Sequence, residues 1–344
     1  MTKSPAVAIV GAGLSGVAGA RCLSRAGVEV TIVEKSRGIG GRMATRRAEL
    51  AQWPGETPLA FDHGAQYFTV KGERFRRVVD EAIAAGRAAT WEGTIRVLEE
   101  GTARLPEQPL DRYVATPTMN SLCKLLGEGL KVHSRFEVAA IERDAGRWRL
   151  VAKDGRELRD MDAVMVSAPA PQAATLLAPC PDLARQATRV RMNGCWALML
   201  AYAERLPVDF DGAFVHGSPL SWIARDSSKP GRDRSSERWI AHGSPEWSQR
   251  HLELEKEEIV ERLLPIFADA VKVPANTPPS FVTAHRWRYA LPAEPLAEPY
   301  LWDDDERLGA CGDWCDGPRV EGAYLSGLSL AERLLASFDI RPGS

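Results

Sequence analysis

The run Ala6-Val7-Ala8-Ile9-Val10-Gly11-Ala12-Gly13-Leu14-Ser15-Gly16 decides how this chain is read. Five apolar residues without interruption are the pattern of a strand buried on both faces of a parallel sheet. The glycines fit G-x-G-x-x-G where the pattern carries meaning, after a strand and at the opening of a helix. Gly11 permits the tight turn, Gly13 lets a pyrophosphate approach the backbone, and Gly16 lets helix pack on strand. The helix start at Leu14 and Ser15 then offers free N–H groups and a positive dipole to phosphates. Gly27 stops the helix, Val28–Val33 forms a second strand, and Glu34 ends it where a carboxylate can take ribose hydroxyls. So far, NAD and FAD would be served equally well.

Outward from this motif the chain is ordinary. Its 344 residues are 44% hydrophobic and 26% charged, which suits two domains or one fold with a large insertion. Lys and Arg number 44 against 46 Asp and Glu, so there is no basic footprint of a nucleic-acid binder. Six cysteines form no CxxC pair, and Cys311 and Cys315 have no histidine-rich partner segment, so no metal site is expected. Reduced thiols and a cytoplasmic protein follow. Lys3 and the apolar stretch 6–20 mimic a signal peptide, but the glycines divide that stretch into strand, turn and helix. No uncharged apolar run is long enough to span a membrane. Tryptophan is the odd component: ten residues against nine Phe, a weak hint of a planar ligand.

The remaining pattern predicts an amphipathic helix over 71–90, with Phe75, Val78, Val79, Ala82 and Ile83 on one face. A helix over 118–126 leads into a strand over 132–141. A meander follows through Trp148–Ala152, a turn at Asp154-Gly155, and Ala163–Ser167. Residues 195–203 read as a buried strand, 225–238 as an exposed polar loop or lid, and 251–270 as a charged helix.

Glu34-Lys35-Ser36-Arg37-Gly38-Ile39-Gly40-Gly41-Arg42 resembles the second signature of the flavin amine oxidase-like superfamily, an acid followed by a Gly-Gly-Arg turn. The resemblance implies FAD, with Gly41 and Arg42 at its pyrophosphate. Lys35, Arg37, Arg42, Arg46 and Arg47 have no acid among them, which on physical grounds is a local anion site; for Arg46 and Arg47 a solvated basic loop is an equal reading. Cys311-Gly312-Asp313-Trp314, then Arg319-Val320-Glu321-Gly322-Ala323, resembles the superfamily's C-terminal motif. It implies Asp313 near the ribityl or phosphate region, with the helix opening at Val320 and Gly322 facing the flavin pyrimidine. Val138 falls in the strand that contacts adenine in such proteins. Motifs at both ends make the FAD domain discontinuous: 1–70, 111–170 and 303–340, with 71–110 and 171–302 forming the substrate domain. The implied fold is a Rossmann-type α/β FAD-binding domain, p-hydroxybenzoate hydroxylase/amine oxidase-like, interleaved with an α+β domain on a mixed or antiparallel sheet.

A narrower resemblance covers essentially the whole chain. Phe61-Asp62-His63-Gly64-Ala65-Gln66-Tyr67-Phe68-Thr69, Ser221–Arg225, Trp239–His242, Ala284–Tyr289 and the Cys-Gly-Asp-Trp-Cys block are similar to the bacterial renalases. Those enzymes oxidise 2- or 6-dihydro isomers of NAD(P) to NAD(P)+, pass hydride to non-covalent FAD and return it to O2 as H2O2. The resemblance implies substrate-positioning roles for Tyr67, His242 and Trp287, with Gln66 at the cofactor. Asp226 stands where relatives often carry Asn, which changes both charge and donors. Taken alone, Tyr67 and Trp287 are ordinary core aromatics and His242 an ordinary strand histidine. Hydride transfer gives them a role, since it needs a flat ring held face-on rather than a nucleophile and a base. Trp222, Trp287 and Trp314 fall in segments assigned to the substrate cavity or flavin edge, and Trp53, Trp91, Trp148 and Trp302 read as packing residues. The competing expectations are an amine oxidase or desaturase on the same scaffold, and a non-catalytic FAD-bound sensor.

Overall fold

The computed structural model describes residues 4–48, 59–108, 110–274 and 277–341. Its first sheet has six strands in the order Leu301–Asp303, Leu308–Ala310, Ala163–Val166, Ala6–Val10, Glu29–Glu34, Lys131–Ser134. All neighbours are parallel except the edge strand 301–303. The opening strand lies in the interior of this sheet, and each of its residues is buried, as an uninterrupted apolar run requires.

Both faces of the sheet are covered. On one, the helix Leu14–Arg25 packs against the C-terminal helix Val320–Ser337. A Cβ on Gly327 would lie 2.0 Å from the Ser15 carbonyl oxygen, so glycine sets how closely those two helices approach. On the other face, Trp148, Leu150 and Met161 of a three-stranded meander pack with the helices Ala170–Leu176 and Pro181–Thr188.

The second large sheet has seven strands in the order Phe281–Pro292, Met192–Tyr202, Glu237–Gly243, Leu220–Arg225, Gly212–Val215, Ile95–Glu99, Thr102–Arg104. It is mixed, because 212–215 runs parallel to 95–99 while the other pairs are antiparallel. Period-two alternation gives it two distinct faces. Trp196, Leu198, Leu200, Ile223 and Trp239 pack with Ile259, Leu263 and Phe267 of the helix Lys256–Ala270. On the opposite face, Met199, Ala201 and Ile240 meet Leu59 and Phe61.

Several expected elements are displaced. The helix expected over 71–90 spans Glu73–Ala84, and Gly86 (φ 68°) then turns the chain into the strand Ala88–Thr90. Ile83 is 40% exposed instead of buried. The helix expected from 118 begins at Ser121, and the one expected from 251 begins at Lys256 behind a Glu255/Glu258 capping box. The strand expected over 132–141 is two strands in different sheets, Lys131–Ser134 and Val138–Asp144, separated by Arg135 at φ 56°. The third meander strand is Glu157–Met161; Ala163–Val166, apolar throughout and fully buried, enters the parallel sheet instead. The largest correction concerns 225–238. Arg225, Asp226, Ser227, Lys229, Ser236, Glu237 and Arg238 are buried, with Arg225, Asp226 and Lys229 paired to opposite charges inside the fold, while Gly231 and 233–235 are exposed as expected and Asp233 meets Arg238 from the surface. Among the described residues, no helix is long and apolar enough to cross a membrane.

Candidate active site

The glycine motif builds a cradle. Gly11 sits at φ 104°, and a Cβ there would lie 2.3 Å from the Ser167 carbonyl oxygen, so the turn demands glycine. A Cβ on Gly16 would lie 2.0 Å from the Gly11 carbonyl oxygen, which fixes the helix against the turn. Gly13 is different: it has φ −73°, and a Cβ would meet nothing within 4 Å. Neither strain nor protein contact explains a glycine there, whereas a group lying against the backbone does. Gly13 caps the helix without a side-chain bond, which leaves the N–H groups of the first turn, at Leu14 and Ser15, for a ligand. Gly41, at φ 52°, closes the cradle from the other side, its Cβ position 3.2 Å from the Gly13 Cα.

Glu34 is buried at the end of its strand, where it accepts N–H bonds of 2.7 Å from Ala12 and from Ser36. Its carboxylate is thereby fixed beside the cradle. Lys35 is exposed and reaches Gln172 at 3.3 Å. Arg42 and Asp313, 271 positions apart, form a two-pronged ion pair of 2.7 and 2.6 Å, and Arg42 also donates to the Ala290 carbonyl. The expected pyrophosphate arginine is therefore held by the expected ribityl aspartate. Val320 opens the C-terminal helix, whose cap residue Arg319 makes no side-chain bond, and a Cβ on Gly322 would meet the Gly317 carbonyl at 2.4 Å. Val138 is half-buried at the start of its strand, against the outer core of the parallel sheet.

The mixed sheet supplies a second wall. Phe214, Trp222, His242, Ala197 and His285 are cross-strand neighbours in one row, with Trp287 two residues beyond His285 on the same face. The segment 61–67 lies over this face. The His63 carbonyl accepts bonds from Trp287 Nε1 at 2.9 Å and His242 Nε2 at 3.2 Å. The His63 ring contacts His285 and Trp287, with centroids 4.6 and 4.8 Å away. Tyr67 stands 5.4 Å from Trp222 and 6.4 Å from Trp91. Tyr67, His242 and Trp287 are thus brought to one place.

These histidines are neutral near pH 7. Burial lowers the His63 pKa to about 3, helped by His285, Arg46 and His242. Burial lowers His242 to about 4, against the bond to His63. His285 is likewise lowered to about 4 by burial and by Arg46. The tautomers follow from their partners. Arg46 can only donate, so His285 Nδ1, 3.0 Å away, is an acceptor, and His242 Nε2 carries a proton for the His63 carbonyl.

Behind Tyr67 lies a sealed ionic cluster. Lys229, with no exposed surface, bonds Asp226 at 2.7 Å and the Gln66 side-chain carbonyl at 3.1 Å. Asp226 also accepts the Asp62 N–H at 3.2 Å. Asp62 accepts bonds from Arg232 Nε and Nη2, the Thr45 hydroxyl and the Met119 N–H. Burial opposes its charge, but Arg232 and Lys229 outweigh that and hold its pKa below the usual carboxylate range. Asp226 is thus 1% exposed, with both oxygens occupied, and Gln66 spends its amide on Lys229 and the carbonyls of Asp62 and Gly64. His63 and His285 lie in segments that carry the renalase resemblance, which assigns them no role, and Lys229 and Arg232 fall in the segment read as an exposed loop. Trp91, read as packing, belongs to this region: its indole bonds Ser228, and Lys229 lies 5.8 Å from its ring. Trp314, read as lining the flavin edge, is fully buried and bonded to the Ala168 carbonyl. Trp53 lies outside the described residues.

Comparison with known proteins fits this geometry. A family model described as "NAD(P)-binding Rossmann-like domain" matches residues 9–82, and one described as "Flavin containing amine oxidoreductase" matches residues 92–335. The chain belongs to the flavin-containing amine oxidoreductase family.

Among curated relatives of this family member, carotenoid phi-ring synthase of Streptomyces griseus is 34% identical over 111 residues, covering 31% of this chain and 21% of that protein. L-amino-acid oxidase of Mus musculus is 47% identical over 55 residues, covering 16% and 9%. The match thus spans about a fifth or less of those relatives' length. Solved structures share the fold over nearly the whole chain. Cyclohexylamine oxidase from Brevibacterium oxydans IH-35A has a TM-score of 0.73 at 14% identity, covering 98% of this chain and 100% of that one. A reduced UDP-galactopyranose mutase has a TM-score of 0.76 at 11% identity, covering 97% and 96%.

The family's cofactor is FAD, and the residues present suit it. The open face of Gly13 and two helix starts without side-chain caps fit a pyrophosphate and a flavin edge, and Glu34 fits the ribose. Cys311 and Cys315 offer no ready thiolate: both are fully buried, and burial raises Cys311 to about 12 and Cys315 well above its ordinary value. Among the described residues, no group of His, Cys, Asp and Glu could hold a metal ion. The chain thus belongs to a family of flavin-containing oxidoreductases.

Proposed function

We propose that this protein oxidises isomeric dihydronicotinamides, the 2- or 6-dihydro forms of NAD(P), to NAD(P)+, in the manner of the bacterial renalases it resembles. The observation that carries the reading is the composition of the wall built by Tyr67, Trp222, His242, His63, His285 and Trp287: flat rings, with its histidines uncharged near neutral pH. Such a wall holds a planar, weakly polar ring face-on and supplies no strong base, which suits hydride removal. FAD, held non-covalently, would supply the hydride acceptor, and O2 would take the two electrons from it together with two protons, one from the hydride and one from solvent, as H2O2.

In this reading Tyr67 and Trp287 bound the ring, and His242, fixed by the His63 carbonyl, presents its other nitrogen as an acceptor for a carboxamide N–H. Gln66, Lys229 and Asp226 hold the Tyr67 segment from behind. Arg42 and Asp313 tie the Gly-Gly-Arg turn to the C-terminal motif. In this reading the FAD domain is 1–70, 111–170 and 303–340, and the substrate domain is 71–110 and 171–302.

A second reading, an amine oxidase or desaturase, is favoured by the family description and by the likeness to cyclohexylamine oxidase. Aerobic turnover separates the two. Equimolar H2O2 and NAD(P)+ from the dihydronicotinamide isomers, with none from benzylamine, supports the proposal; peroxide from the amine alone refutes it.

A further inference from the structure

Five cationic side chains are buried in the described structure: Arg112, Arg225, Lys229, Arg232 and Arg238. Four have a carboxylate partner, Arg225 with Glu237, Lys229 with Asp226, Arg232 with Asp62 and Arg238 with Asp233. Arg112, 7% exposed, has none among the described residues. One nitrogen donates to the Leu110 carbonyl at 3.2 Å, and its Nε is buried without a partner. A buried, uncompensated charge opposes folding unless something supplies the opposite charge. Its position indicates what that is. Tyr113 shares a face with Phe68, so Arg112, one residue earlier, falls on the other side of the chain, its guanidinium 5.1 Å from the Tyr67 ring centre. Stacking on Tyr67 steadies the cation but does not neutralise it.

We propose that Arg112 is the counter-charge for an anionic group of the substrate, bound beside Tyr67. The inference rests on the dihydronicotinamide reading, where the anion is the phosphate nearest the nicotinamide ribose. An α-carboxylate of an amino acid is the other source of the same chemistry. A bare amine, or a nucleoside without phosphate, leaves Arg112 unanswered.

The test uses the FAD-loaded enzyme, with Arg112→Met to keep bulk and Arg112→Lys to keep charge. Each is mixed with 6-dihydronicotinamide mononucleotide and with its riboside. Equilibrium binding of the oxidised mononucleotide and riboside is read from the flavin spectrum. Arg112→Met is expected to raise KM and Kd for the mononucleotides roughly ten- to hundredfold and to leave the ribosides within about twofold. Arg112→Lys falls between and remains informative if the Met variant does not fold. Equal affinity of the wild type for phosphorylated and unphosphorylated ligands, or equal weakening of both, overturns the assignment.

If no dihydronicotinamide reduces the wild type, the proposed function falls, and L-phenylalanine and phenethylamine are then compared. A preference for the amino acid that Arg112→Met abolishes retains Arg112 as an anion site. No preference removes that role as well.

Discussion

Lys229→Met tests whether the sealed cluster behind Tyr67 holds the site together. The wild-type ammonium is fully buried, 2.7 Å from Asp226, 3.1 Å from Gln66 and 3.9 Å from Asp62. Removing it leaves Asp226, 1% exposed, with the Asp62 N–H as its remaining bond. Asp62 loses less, because Arg232 still binds it. Breaking a buried pair from one side costs about 3–5 kcal/mol, mostly the desolvation of the stranded charge. Adding Asp226→Leu removes that charge, so the double variant is expected within about 2 kcal/mol of wild type. Urea unfolding of the FAD-loaded protein measures both. A cost below about 1 kcal/mol for Lys229→Met, or additive losses in the double variant, would refute the cluster's role.

The cradle predicts a contrast between two glycines. Gly13→Ala fills open space, so the apoprotein should melt as wild type does while its FAD Kd rises; Gly16→Ala drives a Cβ against the Gly11 carbonyl and should lower apoprotein stability directly. Arg42→Ala strands the 5%-exposed Asp313, whereas Arg46 contacts the His285 ring, so FAD retention should fall more in Arg42→Ala than in Arg46→Ala. Equal losses, read as flavin content after gel filtration, would contradict this. Acid should destabilise the fold through its neutral histidines. With pKa values of about 3 to 4 folded and about 6.5 unfolded, their contribution is complete above pH 6.5 and is lost as pH falls towards 4. For His242 alone it is worth roughly 3 kcal/mol, so His242→Asn should flatten the melting temperature against pH over that window.

The parallel-sheet half was largely legible in the sequence, because its signals are local: an apolar strand, three glycines with separate roles, and an acid at the next strand end. The long pairing of Arg42 with Asp313 could be expected as shared ligand chemistry but not as a direct ion pair, since nothing local links positions 42 and 313. The segment 225–238 is exposed only at 231 and 233–235, and the rest of it misled for a physical reason. Its charges read as solvated, and only the tertiary fold brings Asp62 and Gln66 to meet Lys229 and Arg232. His63 and His285 escaped notice because their roles come from strand register and from a loop crossing the sheet. The tryptophans divide by contact: Trp222 and Trp287 stand in the aromatic row, Trp91 is a buried packing residue, as expected, that also approaches Tyr67, and Trp314 is buried and bonded to the Ala168 carbonyl.

The most direct test of the central claim is anaerobic mixing of the purified flavoprotein with one equivalent of 2- or 6-dihydro-NAD(P), followed by the loss of flavin absorbance. The account predicts rapid, stoichiometric bleaching with at least one isomer and release of NAD(P)+, with ordinary 4-dihydro-NADH and benzylamine far slower. Bleaching by benzylamine while both isomers leave the flavin oxidised would contradict it.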